Sequence, residues 1–170
     1  MLKKRTVMIF PKFENMKLID ELRQKYDPLV DKVQPHITLV FPFESNLVDS
    51  EIYKILDNRL NKIKPFEICV YGLSVTDCWL FLNITKGTDI LYKIHDILYE
   101  NEFVKYKPLW LNTYTPHMTV GKFNSIEETK RAYEYEKSFE HTFSSMIDKV
   151  SVEIIGEEDE SIIEVEYSLF

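Results

Sequence analysis

The chain has 170 residues, 45% of them hydrophobic and 29% charged, with a net charge of −7 at neutral pH. That balance excludes a disordered segment, and four glycines leave little material for flexible linkers. The acidic charge argues against a broad footprint on duplex DNA, and the longest apolar runs, residues 6–10 and 36–43, are too short to span a membrane.

Residues 6–10 (TVMIF) are rich in β-formers and closed by Pro11, which predicts a strand. From 14 to 26 the apolar positions Leu18, Ile19, Leu22 and Tyr26 recur at helical spacing, with Pro28 just beyond. Residues 36–41 (HITLVF) read as a strand ended by Pro42. Ser50 then caps a helix whose stripe is Ile52, Ile55, Leu56, Leu60 and Ile63, stopped by Pro65. Residues 66–73 and 79–85 form two strands joined by a polar turn at 74–77, and Thr88 caps a third helix carrying Ile90, Leu91, Ile94, Ile97 and Leu98 on one face. Residues 104–116 hold no period and form an aromatic-rich loop. Residues 117–123 (HMTVGKF) follow as a strand, and Ser125 with Glu128 makes a capping box for a charged helix to about Phe139. Strands at 149–155 and 162–167 flank an acidic turn at 156–160. Short turns between strands, alternating with helices, predict a mixed α+β domain of 1–170 rather than a doubly wound sheet.

Neither a Gly-rich phosphate loop nor a dinucleotide fingerprint occurs. No cluster of Cys, His, Asp or Glu has metal-ligand spacing, so no metal and no cofactor are expected. Cys69 and Cys78 read as two small buried thiols. The first ten residues have a basic start but too few apolar residues for a signal peptide, which makes a cytoplasmic location the expectation.

One pattern repeats. Pro-His-apolar-Thr-apolar occurs as PHITLV at 35–40 and as PHMTVG at 116–121, with His36 and His117 separated by 81 residues, close to half the chain. Strand side chains alternate faces, so His36 and Thr38 point one way while Ile37, Leu39 and Phe41 point into a core; His117 and Thr119 share a face opposite Met118 and Val120. Side by side, two such strands would place two imidazoles and two hydroxyls around a cleft. A neutral imidazole can take a proton from water and a protonated one can give a proton to a departing oxygen, both near neutral pH. Threonine hydroxyls can donate to non-bridging phosphoryl oxygens as charge builds there. His95, at the edge of a helical stripe, and His141, after the charged helix, read as structural or surface residues.

With these two motifs the chain resembles the 2H phosphoesterase superfamily, which includes the 2′-5′ RNA ligase-like proteins. The resemblance implies two pseudo-symmetric lobes of mainly antiparallel sheet, outer helices and a central cleft crossed by both motifs. It implies a metal-independent phosphodiesterase in which His36 and His117 share the roles of base and acid and Thr38 and Thr119 bind the substrate. The expected reaction is hydrolysis of a 2′,3′-cyclic phosphate on an RNA end or a small nucleotide. The alternatives are a 2′-5′ phosphodiesterase or RNA ligase-like activity, another cyclic phosphate on an ADP-ribose-type molecule, and a nucleotide- or RNA-end-binding module with little turnover. Several members carry Arg three residues after the second Thr, where Lys122 stands here. Lysine keeps the charge without the bidentate fork. Strict alternation points Lys122 away from His117 unless Gly121 marks a bulge. Trp110 and Tyr114, leading into the second motif, either border the cleft, where a ring could stack on a base, or cover the core. The chain is expected to be a monomer without a membrane or duplex DNA partner.

Overall fold

The first strand, β1 (Lys3–Ile9), is buried from Arg5 to Ile9, as a central strand covered on both faces must be. The structure, a computed structural model, describes residues 1–100 and 102–170. Among them the order continues α1 (Met16–Tyr26), β2 (Ile37–Ser45), α2 (Asp49–Leu60), β3 (Phe66–Thr76), β4 (Trp79–Lys86), α3 (Thr88–Tyr99), a 3₁₀ turn at Val104–Tyr106, β5 (His117–Lys122), α4 (Ile126–Glu136), β6 (Thr142–Ile147), β7 (Lys149–Ile155) and β8 (Ser161–Ser168). These form two four-stranded antiparallel sheets, ordered β2-β1-β7-β8 and β5-β4-β3-β6. The expected α+β fold of two lobes is therefore the one observed. The two motif strands, β2 and β5, are each an edge of their own sheet rather than neighbours in one sheet, and the two edges touch.

The helices are exchanged between the sheets. α1 leaves β1 of the first sheet and packs on β5 of the second, joined there by α4 on β3 and β4. α3 leaves β4 of the second sheet and packs on β2 of the first, where α2 lies on β8. Ile19 and Leu22 of α1, Leu91, Ile94 and Leu98 of α3, and inward residues of both sheets belong to one continuous core.

Several local expectations are corrected. Pro42 does not end the strand: β2 runs on to Ser45, because on an edge strand a missing N–H costs no ladder bond and register shifts opposite Thr6 take up the proline. Ser50 lies inside α2; the free backbone N–H at its start, that of Val48, is met by the Glu51 carboxylate at 2.9 Å. The β3–β4 hairpin is tighter than expected, with Thr76 pairing with Trp79 and only Asp77 and Cys78 between, Asp77 at φ 50°. Thr88 is the first residue of α3 rather than its cap. Gly87 takes that place at φ 81°, where a Cβ would come 2.6 Å from the Glu67 carbonyl oxygen. Ser125 does accept from the Glu128 N–H at 3.2 Å, and α4 closes at Glu136. Cys69 and Cys78 are half-buried free thiols rather than buried ones. The strand β6 was not foreseen: its inward face of Phe143, Ser145 and Ile147 carries a serine in the middle, which broke the apolar alternation.

Candidate active site

Each motif begins with the same local device. Pro35 and Pro116 are buried, and a proline keeps the residue before it extended. From that geometry the His36 Nδ1–H donates to the Gln34 carbonyl at 2.9 Å, and the His117 Nδ1–H donates to the Thr115 carbonyl at 2.7 Å. A carbonyl only accepts, so Nδ1 carries the proton in both rings. That fixes the tautomer and leaves Nε2 of each neutral imidazole with a lone pair. The burial pattern shows the expected parity: His36, Thr38, His117 and Thr119 are half-exposed, while Ile37, Leu39, Met118 and Val120 are fully buried.

Both imidazoles are pushed below the ordinary histidine value. Burial is the main cause in each, opposed by the backbone carbonyl that each Nδ1–H meets. His36 is lowered further by the positive charges of Arg23 and His117 and raised in part by Asp27. The two strand edges that carry the motifs touch, and a positive charge on His117 disfavours one on His36. Arg23 is buried, donating to Asp27 at 2.8 Å and to the Val33 carbonyl at 2.8 Å, so it also fixes the segment leading into His36. Sequence reasoning missed this pair; its i, i+4 spacing resembles an ordinary surface ion pair.

A one-residue slip follows the threonine in both strands. In β5, Thr119 pairs with Phe81 and Lys122 with Trp79, and a register shift lies between. Phe81 and Trp79 are two apart on β4 and share a face, so Lys122 returns to the side of His117 and Thr119. Gly121 sits where the slip brings α1 close: a Cβ there would meet Tyr26 at 3.0 Å. The Lys122 Nζ lies 5.0 Å from the centre of the Trp79 ring. In β2 the shift lies between Thr38, paired with Met8, and Val40, paired with Val7. Leu39 and Val40 are consecutively buried there, and Phe41 is half-buried against Trp110, ring centres 5.0 Å apart, rather than sunk in the core.

Aromatic rings back both imidazoles. Phe81 lies 4.1 Å from His117 and Phe10 lies 6.1 Å from His36, centre to centre. Neither was singled out from sequence, where both sit in apolar runs that read as packing. Tyr114 is only 9% exposed and stacks on His95 at 3.8 Å, so it covers the core rather than bordering the cleft, whereas Trp110 is 65% exposed. His95 is buried and donates its Nδ1–H to the Leu39 carbonyl at 2.7 Å, a structural role; His141 is exposed beside Phe139 and Phe143. A groove of about 1000 Å³ runs beside the first motif, lined by Phe10, Lys12, Gln34, Pro35, Lys149 and Ser151 among others, but neither motif histidine lines it. Among the described residues no three or more His, Cys, Asp and Glu side chains converge in a group that could hold a metal ion.

The model of the family described as the 2′-5′ RNA ligase superfamily matches residues 11–158, a span that contains both motifs. A protein of Geobacillus kaustophilus provisionally named a phosphoesterase is 28% identical over 150 residues, covering 84% of this chain and 83% of its own. One from Halalkalibacterium halodurans, named in the same way, is 27% identical over 129 residues, covering 72% and 71%. Among solved structures, Escherichia coli LigT complexed with NADP+ superposes with a TM-score of 0.65 at 14% identity, covering 99% of both chains. TT0787 of Thermus thermophilus superposes with a TM-score of 0.64 at 12% identity, over 98% and 97%. At such identities the likeness to solved structures is one of fold.

Proposed function

Because this chain belongs to the 2′-5′ RNA ligase superfamily, we propose that it is a metal-independent phosphodiesterase. Its substrate on this reading is a 2′,3′-cyclic phosphate at an RNA end or on a small nucleotide. The observation that carries the proposal is the matched presentation of two imidazoles, each with Nδ1 tied to the carbonyl two residues upstream and with a threonine on the same face. One Nε2 would take a proton from water while the other, protonated, gives one to the departing ribose oxygen. Thr38 and Thr119 would donate to the non-bridging oxygens, and Lys122 would add a positive charge on the His117 side. Nucleotide recognition is supported by the structures of LigT complexed with NADP+, with 3′-AMP and with ATP. The acidic chain favours a short substrate over a long RNA.

The test is a panel of 2′,3′-cyclic mononucleotides, cyclic-phosphate-ended RNA, 2′-5′ dinucleotides and cyclic phosphates of ADP-ribose. Cleavage of the first two, unchanged by EDTA, is the expected result. Activity lost to chelator and restored by zinc or manganese would overturn the acid–base scheme.

The pH dependence follows from the direction of the shifts. Burial favours the neutral form of both rings, so both free-enzyme values lie below the ordinary 6.5. Catalysis needs one ring neutral and one protonated. As pH rises through the higher value the acid is lost, and as it falls through the lower one the base is lost. The profile of kcat/KM is therefore expected to be a bell with its maximum on the acid side of 6.5. A profile still level above pH 8 would contradict it.

A further inference from the structure

The strand carrying the first motif is laddered to β1 on one side only, and the ladder slips within Thr38–Val40. Three side chains from the other half of the chain hold that weak stretch. Tyr114 donates its hydroxyl to the Thr38 carbonyl at 2.8 Å, His95 donates to the Leu39 carbonyl at 2.7 Å, and the Phe41 N–H donates to the Tyr99 hydroxyl at 2.9 Å. The three rings support one another. His95 stacks on Tyr114 with a 2° interplanar angle and meets Tyr99 edge-on at 4.9 Å. All three residues are buried.

Tyr114 also opens the short segment that delivers the second motif, since the next residue, Thr115, offers the carbonyl that orients His117. One hydrogen bond thus joins the backbone of Thr38, two residues from His36, to the chain three residues from His117. We propose that Tyr114 is a positioning residue whose hydroxyl sets the spacing and orientation of the two motif histidines across the cleft. It touches no reacting atom; it acts through the backbone of both motifs. A displacement of the order of 1 Å between reacting groups can cost about 100-fold in rate, so a single tie between two halves of a site is enough to matter.

Tyr114→Phe removes the hydroxyl and keeps the ring on His95. The activity arm rests on the proposed phosphodiesterase reading; the NMR arm, which follows the His36 and His117 imidazole titrations, does not. Expected is a fall in kcat of about 10-fold with KM changed by less than about twofold. The His36 titration should move up toward the ordinary histidine value as its packing loosens. Wild-type kcat together with an unmoved His36 titration in the folded variant would overturn the proposal. Should Tyr114→Phe fail to fold in plain buffer, both proteins are titrated in sucrose, which favours the folded state, and the His36 titration is expected to move in the same direction. An unmoved titration there would overturn the proposal equally. If no substrate is turned over by the wild type, the titration alone decides the positioning role, and the phosphodiesterase reading fails separately.

Discussion

Replacing either His36 or His117 with alanine is expected to cut turnover of a cyclic phosphodiester by at least about 100-fold while the protein stays folded. The folded state should survive because both rings are half-exposed, each held by one hydrogen bond to a carbonyl that water can reach at exposed Gln34 or Thr115. The turnover should not survive, because proton transfer at both ends of the displaced bond runs through the two Nε2 atoms on the proposed reading. The double variant should lose far less than the product of the single losses, since groups acting as a unit are not additive. A single variant with near wild-type turnover would exclude a scheme that needs both rings. Steady-state kinetics on 2′,3′-cyclic mononucleotides, with circular dichroism to confirm folding, decides between these outcomes.

The largest stability effect is expected at Arg5. Its guanidinium is fully buried and its donors are all engaged: Nε and Nη2 on the Glu164 carboxylate at 2.6 and 2.9 Å, Nη1 on the Ser45 carbonyl and hydroxyl at 2.8 and 3.0 Å, and Nη2 also on the Leu47 carbonyl at 2.9 Å. Arg5→Ala leaves a carboxylate with 4% side-chain exposure held by Lys3 alone, and strips donors from two backbone carbonyls. Breaking a buried pair from one side costs about 3–5 kcal/mol. Arg5→Lys should recover little of it, because a single ammonium cannot reach the same set of acceptors. The effect should also depend on pH with a definite sign. Arg5, ahead of Lys3, holds the Glu164 carboxyl down to about 2 from 4.5. A depressed acid stabilises the fold above its unfolded value and loses that contribution as pH falls through the folded one. The gap between wild type and variant in urea midpoints should therefore be full above about pH 4.5 and close toward pH 2. A constant gap across that range would place the stabilisation elsewhere.

Much of this architecture is legible in the chain because the signals are local. Ile37 and Leu39, Met118 and Val120 alternate with His and Thr in six-residue runs, and that alone places the motif side chains on one face. The strand at 149–155 is read to the residue, since Val150, Val152 and Ile154 leave no competing helical period. What stayed hidden depends on distant partners. Arg5 reads as part of a basic start, and only the strand β8, 159 residues later, supplies the carboxylate that lets it be buried. Pro42 reads as a stop because sequence does not say which strand will be an edge. Strict alternation turns Lys122 away and Gly121 offers a bulge that would turn it back; the choice is open in the sequence because a register slip is a property of two strands, and the pairing of Trp79 with Lys122 makes it. Tyr114 reads as a ring that either borders the cleft or covers the core, and nothing local ties its hydroxyl to a carbonyl 76 residues earlier.

The exchange of α1 and α3 between the sheets bears on how the protein comes apart. Each half of this chain supplies two strands to each sheet, β1 to β4 from the first half and β5 to β8 from the second, so neither half holds a complete sheet. The same interlock ties the fate of the lobes together. Unfolding either one withdraws the cover from the other, so the barrier to opening belongs to the whole chain.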